Sequence, residues 1–342
     1  MLKKRPLVRG RIETFLFDSR VLRHNALGDP HRRTVTVYLP PEYERRTERR
    51  FPVFVDLVGF LGSGPAHLNW KAFTEDVPLR LERLVRQRKM GPVIAVFPDC
   101  WTRLGGNQYI NSPAVGNYAD YLLDEVLPEI DRRYRTFARP KRRAVFGKSS
   151  GGYGAIVHGM KYAAHWGAIA CHSGDMYFDM CYRPDIPKVL NVLARHKRDP
   201  ARYLKALYSR KKMESEDPAA IMFLAMAAFY DPDASAPLGF RLPMDLYTGE
   251  LDEKRWRRWL RNDPIHMVGT ESARKQLKSL AGIFMDCGTK DQWHLHYGAR
   301  ILHERLEGFK IRHHYEEFDD HHLSIDYRMD VSLPWLYKRI MA

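Results

Sequence analysis

Short, nearly continuous apolar runs punctuate the first half of the chain: 51–60 (FPVFVDLVGF), 93–98 (VIAVFP), 143–146 and 167–172 (GAIACH). Runs of this length are how strands buried on both faces of a parallel sheet read. Between them the apolar residues return at helical spacing. Residues 72–88 carry one such stretch, 151–164 another, and 117–134 a third that sets Tyr118, Tyr121, Leu122 and Ile130 on one face. Ahead of these, 11–17 and 34–39 are β-rich, the second ending at Pro40-Pro41. Strand–helix alternation of this kind predicts an α/β architecture with a mostly parallel, doubly wound sheet.

From residue 176 to 278 the alternation stops, and the sequence turns helical and proline-punctuated. A structureless loop of that length is uncommon inside a domain, so the stretch reads as a helical, cap-like insertion before the penultimate strand. Strand patterns resume at 281–286 (AGIFMD) and 311–318 (IRHHYEEF), and a C-terminal helix runs through Trp335 and Leu336. With no internal repeat and no low-complexity linker, residues 1–342 read as one domain containing that insertion.

Composition narrows the class. At 44% hydrophobic and 28% charged residues the chain has the balance of a folded globular protein. The basic N-terminus has no apolar run behind it. The longest apolar stretch, 221–230, is half of the roughly 20 residues a membrane-spanning helix needs. No export signal and no stable membrane insertion are expected, and the location expected is cytoplasmic. The four cysteines include no CxxC pair, which argues against a cysteine zinc site. Fifty-six Lys and Arg against 41 Asp and Glu leave +15, a charge that suits an anionic partner. The basic residues are nevertheless scattered, and no nucleic-acid partner is expected. In the densest cluster, 254–261, Trp256, Trp259 and Leu260 fall on one helical face. That stripe predicts packing on the core, the alternative being a lid or membrane-surface role.

Candidate chemistry centres on Gly147-Lys148-Ser149-Ser150-Gly151. Chance supplies about 0.1 G-x-S-x-G pentapeptides in a chain this long, so context decides. Here the motif follows the strand pattern at 143–146 and opens a helix at Gly151-Gly152-Tyr153-Gly154, the strand–turn–helix setting of a nucleophile elbow. Ser149 is favoured over Ser150, which has Lys148 rather than glycine two residues before it. A serine hydroxyl needs a base and the base an orienting acid, in the chain order Ser, Asp/Glu, His on this fold. After the strand at 281–286 comes Cys287-Gly288-Thr289-Lys290-Asp291. A carboxylate on a loop leaving a parallel strand lies where such sheets hold their sites, which favours Asp291 over Asp286 within the strand. The last strand leads into Asp319-Asp320-His321-His322-Leu323, and one of the two histidines is placed to be the base. The oxyanion hole takes the N–H of Ser150 and a second N–H from the segment 58–62.

The YLPP segment (38–41), the GKSSGGYGA elbow, the CGTKD loop and the terminal histidine loop together resemble the esterase D family of α/β-hydrolases. That family includes S-formylglutathione hydrolases, enterochelin esterases, feruloyl esterases and mycolyltransferases. The resemblance spans nearly the whole chain and is weakest over 180–280. It implies His322 as base, because the family's base follows a glycine and His321 stands in the glycine place. It also implies Phe60 as the second oxyanion donor, with Val58 where the family's turn carries Asp or His. The resulting expectation is a serine hydrolase of a small-molecule acyl ester or thioester, working through an acyl-enzyme without a cofactor. An acyltransferase using the same triad and a non-catalytic basic binding protein are the alternatives. Gly105, Gly106, Gln108 and Tyr109, on a loop after an earlier strand, are expected either to line the acyl or alcohol pocket or to form a plain connection. The paired histidines 294/296, 313/314 and 321/322 suggest a metal, but adjacent strand residues point to opposite faces, so no metal site is expected.

Overall fold

A computed structural model describes residues 7–69 and 73–342. Ala72, where the first helix is expected to begin, lies outside them. Eight strands form one sheet: β1 (Arg11–Asp18), β2 (Arg32–Leu39), β3 (Val53–Leu57), β4 (Ile94–Pro98), β5 (Arg143–Lys148), β6 (Ala168–His172), β7 (Gly282–Gly288) and β8 (His314–Phe318). Their spatial order is β1-β2-β4-β3-β5-β6-β7-β8. β2 runs antiparallel to both β1 and β4, and every other pairing is parallel.

Both faces of the sheet are covered along its central strands, which is why β3, β4, β6 and β7 read as nearly unbroken apolar runs. Val53, Val55, Leu57, Val145, Ile169 and Ile283 point to one side, into the layer holding the helix Ser150–Lys161. Their neighbours Phe54, Phe146, Ala170 and Phe284 point to the other. There Leu81 and Leu84 of the helix Val77–Arg86, and Leu333 and Leu336 of Met329–Met341, cover them. The expected strand at 51–60 is shorter than its apolar run. After Leu57 the chain leaves the sheet, and residues 58–62 turn across its edge. The helical stretch 118–133 widens into a π-helical turn over Tyr121–Val126, just ahead of Pro128, which has no N–H to donate.

The stretch 176–278 is mostly helical, as its lack of alternation suggests, with a break of turns and two isolated β-bridges over 231–252. Its last helix, Glu271–Ser279, lies along Ser150–Lys161 and belongs to the layer beside the sheet. Trp256 and Trp259, on the helix Glu253–Leu260, are buried, and Leu260 packs against the core at its edge. Trp256 donates its indole N–H to Asp179 at 2.8 Å. The arginines beside them are partly neutralised, Arg255 and Arg258 both pairing with Asp231. All four cysteines are free and buried. Among the described residues no helix is long and apolar enough to cross a membrane.

Candidate active site

The turn between β5 and the helix Ser150–Lys161 is built by close backbone approach. A Cβ on Gly151 would stand 1.8 Å from the Leu57 carbonyl oxygen, and one on Gly147 would stand 2.4 Å from the same atom. Glycine is the residue that fits at both places. Ser149, between them, has φ +58° and ψ −125°, a conformation that costs a non-glycine residue about 1–3 kcal/mol. The surroundings hold it there: its N–H donates to His172 O at 3.0 Å, and its carbonyl accepts the first helical bond from Tyr153 at 2.8 Å. The side chain is thereby lifted off the sheet at the N-terminus of the helix, where the first N–H groups have no carbonyl one turn earlier to bond.

Ser149 is half-buried and faces a cavity of about 790 Å³. Its walls come from residues 58–62, from Tyr182 and Met222 of the helical insertion, and from Trp293, His322 and Leu323 of the last two loops. Ser150 is different. Its hydroxyl is fully buried, donating to Asp175 Oδ2 at 2.8 Å and accepting from Gln108 Nε2 at 2.7 Å.

The two C-terminal loops are stitched together by main-chain bonds from Thr289 to Phe318 and from Lys290 to Asp320, both 2.9 Å. This closure sets His322 Nδ1 2.8 Å from Asp291 Oδ2, with both side chains buried. Asp291 also accepts from the Trp293 N–H at 2.9 Å, and Gln292 accepts from the His322 N–H at 3.0 Å. The Trp293 ring lies edge-on to the imidazole at 4.7 Å. Neither rival shares this setting. His321 is exposed and accepts from the Leu323 N–H, while Asp286 is held by His172 at 2.6 Å and Arg328 at 2.8 Å.

Phe60 lines the cavity, and its loop lies directly on the Ser149 turn: a Cβ on Gly59 would be 3.3 Å from Ser149 Cβ. The loop 104–112 stands one layer back. Leu61 N–H donates to Gly105 O at 2.9 Å, the Phe60 ring covers Gly106, and Tyr109 donates to Val58 O at 2.6 Å. Gly105, Gly106, Gln108 and Tyr109 therefore buttress the cavity wall from behind, and their burial explains why they do not face the cavity.

Two carboxylates near the cavity escape motif reading. Asp175, on the loop after β6, accepts from Ser150, from Tyr182 at 2.8 Å and, at 3.4 Å, from Ser149 Oγ. Burial raises its pKa against the pull of those donors. Asp56 holds His67, which lines the same cavity, at 2.7 Å. Burial is the largest influence and works to lower the His67 pKa, but the charge and hydrogen bond of Asp56, with the Asp326 charge, together turn the net shift upward. Position alone could have flagged Asp175, since it leaves a parallel strand at the same edge as Asp291.

A strained serine and a buried imidazole–carboxylate pair, gathered on the loops after parallel strands of an eight-stranded sheet, define an α/β-hydrolase. The family model described as "Putative esterase" matches residues 26–330, and the chain belongs to that family. Esterase Rv1288 and Esterase MT1326, from two strains of Mycobacterium tuberculosis, are each 34% identical to it over 146 residues. The match takes in 41% of this chain and spans 28% of those relatives' length. Among solved structures, a ferulic acid esterase superposes with a TM-score of 0.64 at 20% identity, covering 97% of this chain and 98% of its own. An S-formylglutathione hydrolase from Agrobacterium tumefaciens gives 0.59 at 15% identity, covering 98% of each chain. At these identities the likeness is one of fold.

Proposed function

We propose that the protein is a serine hydrolase of small-molecule carboxylic esters or thioesters, with Ser149 as nucleophile, His322 as base and Asp291 as its orienting acid. The observation that carries this reading is the 2.8 Å bond from His322 Nδ1 to Asp291, at a cavity whose wall also holds Ser149. With Nδ1–H committed to the carboxylate, His322 Nε2 carries the lone pair that takes the serine proton. Ser149 Oγ attacks the acyl carbonyl, and the N–H groups of Phe60 and Ser150 receive the developing oxyanion. The protonated imidazole then gives its proton to the leaving alcohol or thiol. Water, deprotonated by the same base, releases the acid from the acyl-enzyme.

Labelling with a fluorophosphonate probe, alongside turnover of p-nitrophenyl esters of graded chain length, tests the assignment. Ser149→Ala should abolish labelling and lower turnover by about four orders of magnitude, with Ser150→Ala still labelled. Labelling that survives Ser149→Ala, or turnover unaffected by His322→Ala, overturns it.

A further inference from the structure

The helix Leu295–Gly308, which follows the Asp291 loop, carries His303 and Glu307 one turn apart on the same face. Beyond it the chain reverses, Ile311 N–H donating to Leu306 O at 2.9 Å, and enters β8 past His313. One ligand atom from each of His303, Glu307 and His313 lies within 4.8 Å of the other two. His303 Nδ1 and His313 Nε2 face each other at 2.7 Å. On its other side His313 Nδ1 lies 2.8 Å from the Ile311 carbonyl oxygen. A carbonyl only accepts, so the neutral His313 ring carries its proton on Nδ1 and turns the Nε2 lone pair toward His303. An imidazole tied to the main chain through its outer nitrogen, with the inner one free to donate electrons, is the usual arrangement of a metal-ligating histidine. The His303 ring is fixed by stacking on Tyr315, with centroids 4.5 Å apart. The His313 side chain is 1% exposed and that of Glu307 66%. The Glu307 carboxylate rests 3.7 Å from His313 Nδ1, and its exposed side chain is free to swing across to the two inner nitrogens.

We propose that His303, Glu307 and His313 form a binding site for a divalent transition metal of the zinc class, separate from the catalytic centre. Two nitrogens and one oxygen suit such an ion and disfavour magnesium or calcium, which prefer all-oxygen shells. Binding needs no net proton release at the histidines. The proton on His303 Nδ1 moves to Nε2, and the metal takes its place between the rings. Tetrahedral bonds of about 2.0–2.1 Å set ligand nitrogens about 3.3 Å apart, so the rings part by about half an ångström. Water fills the fourth position. The adjacent histidines 313 and 314 do not chelate together: the partners of His313 come from the preceding helix. The site lies where the chain enters β8, whereas His322 follows the strand's other end. A bound ion would thus clip the helix after the Asp291 loop to the strand that leads to His322.

Chelator-stripped protein titrated with Zn²⁺ by calorimetry, with Co²⁺ absorption as a spectroscopic probe of the nitrogen ligands, tests this. One equivalent should bind, raising the melting temperature and giving a Co²⁺ spectrum. His303→Ala should remove both responses, and Glu307→Gln, at an exposed position, should weaken affinity by about tenfold. His294→Ala, away from the cluster, should bind like the parent. Retained circular dichroism and ester turnover in the metal-free variants show that the fold is intact, and the titration is independent of the catalytic assignment. The absence of a bound equivalent in the parent chain overturns the proposal. So does equal affinity in the parent, His303→Ala and Glu307→Gln, which would assign the ion to other histidines.

Discussion

At the residue scale, Asp175 ties the Ser149 turn to the insertion. A run of side-chain bonds leads from Tyr230 to Gln108 (3.0 Å), to Ser150 and on to Asp175, where Tyr182 arrives from the insertion. The carboxylate also stands 3.4 Å from Ser149 Oγ. Asparagine at this position keeps the shape but loses the charge and one acceptor. Hydrogen bonds to charged groups contribute about 1.5–3 kcal/mol. Asp175→Asn should therefore lower kcat/KM by about ten- to a hundredfold while circular dichroism stays unchanged, and parent-like kinetics would reduce Asp175 to a packing residue. What the sequence displayed at this scale follows the same physics. Ser149 was legible because its constraint is local: glycines two positions either side are required by a backbone approach that a Cβ would block. Asp175 belongs to no motif. Gln108 and Tyr109 showed their residue types but not their direction, because a loop has no periodicity to say which way a side chain points.

At the element scale, the helix Asp217–Tyr230 shows why the insertion was hard to read. It is apolar nearly all round and buried nearly all round, so it carries no stripe from which a face could be inferred. The helix Glu253–Leu260 does carry one, and its tryptophans are in the core as the spacing implied. Trp259 packs on Phe223 at 4.9 Å, Trp256 at 5.3 Å, Tyr230 at 5.7 Å and Tyr182 at 6.2 Å. Two of those partners, Tyr182 and Tyr230, reach the Asp175 network. Trp259→Ala should cost about 3–5 kcal/mol, read as a lower urea midpoint. Because the cavity it leaves adjoins Tyr182, ester turnover should fall at denaturant concentrations where the variant is still folded. Trp256→Phe, which fills most of the volume but takes the indole donor from Asp179 and leaves it Arg183, should cost less.

At the scale of the whole molecule, the sheet brings Ser149, Asp175, Asp291 and His322 to the ends of β5, β6, β7 and β8, four strands adjacent in space and consecutive along the chain. Chain order was therefore a usable guide to that half of the site. It failed at the other end, where β4 lies between β2 and β3 and no local pattern announces the crossing. The elbow helix also links the site to the response of the molecule to acid. His158, fully buried on that helix, donates from Nε2 to Tyr109 O at 2.8 Å, and burial lowers its pKa from 6.5 to about 4. The unfolded chain binds this proton more readily than the folded one, so its contribution is complete above pH 6.5 and is lost as pH falls toward 4. By pH of about 5 the loss is about 2 kcal/mol. Over the same range protonation of exposed groups adds charge to a molecule already at +15, and self-repulsion grows. Salt separates the two effects. About 1 M NaCl, with a Debye length near 3 Å, screens surface repulsion but does not reach a buried imidazole. Thermal melts between pH of about 7.5 and about 5 should then show a decline that high salt reduces without removing. In His158→Gln, whose amide can still donate to Tyr109 O, the salt-resistant part of that decline should shrink, leaving the share of the other histidines whose pKa burial lowers. An identical salt-resistant decline in this variant would place the acid sensitivity at some other buried group.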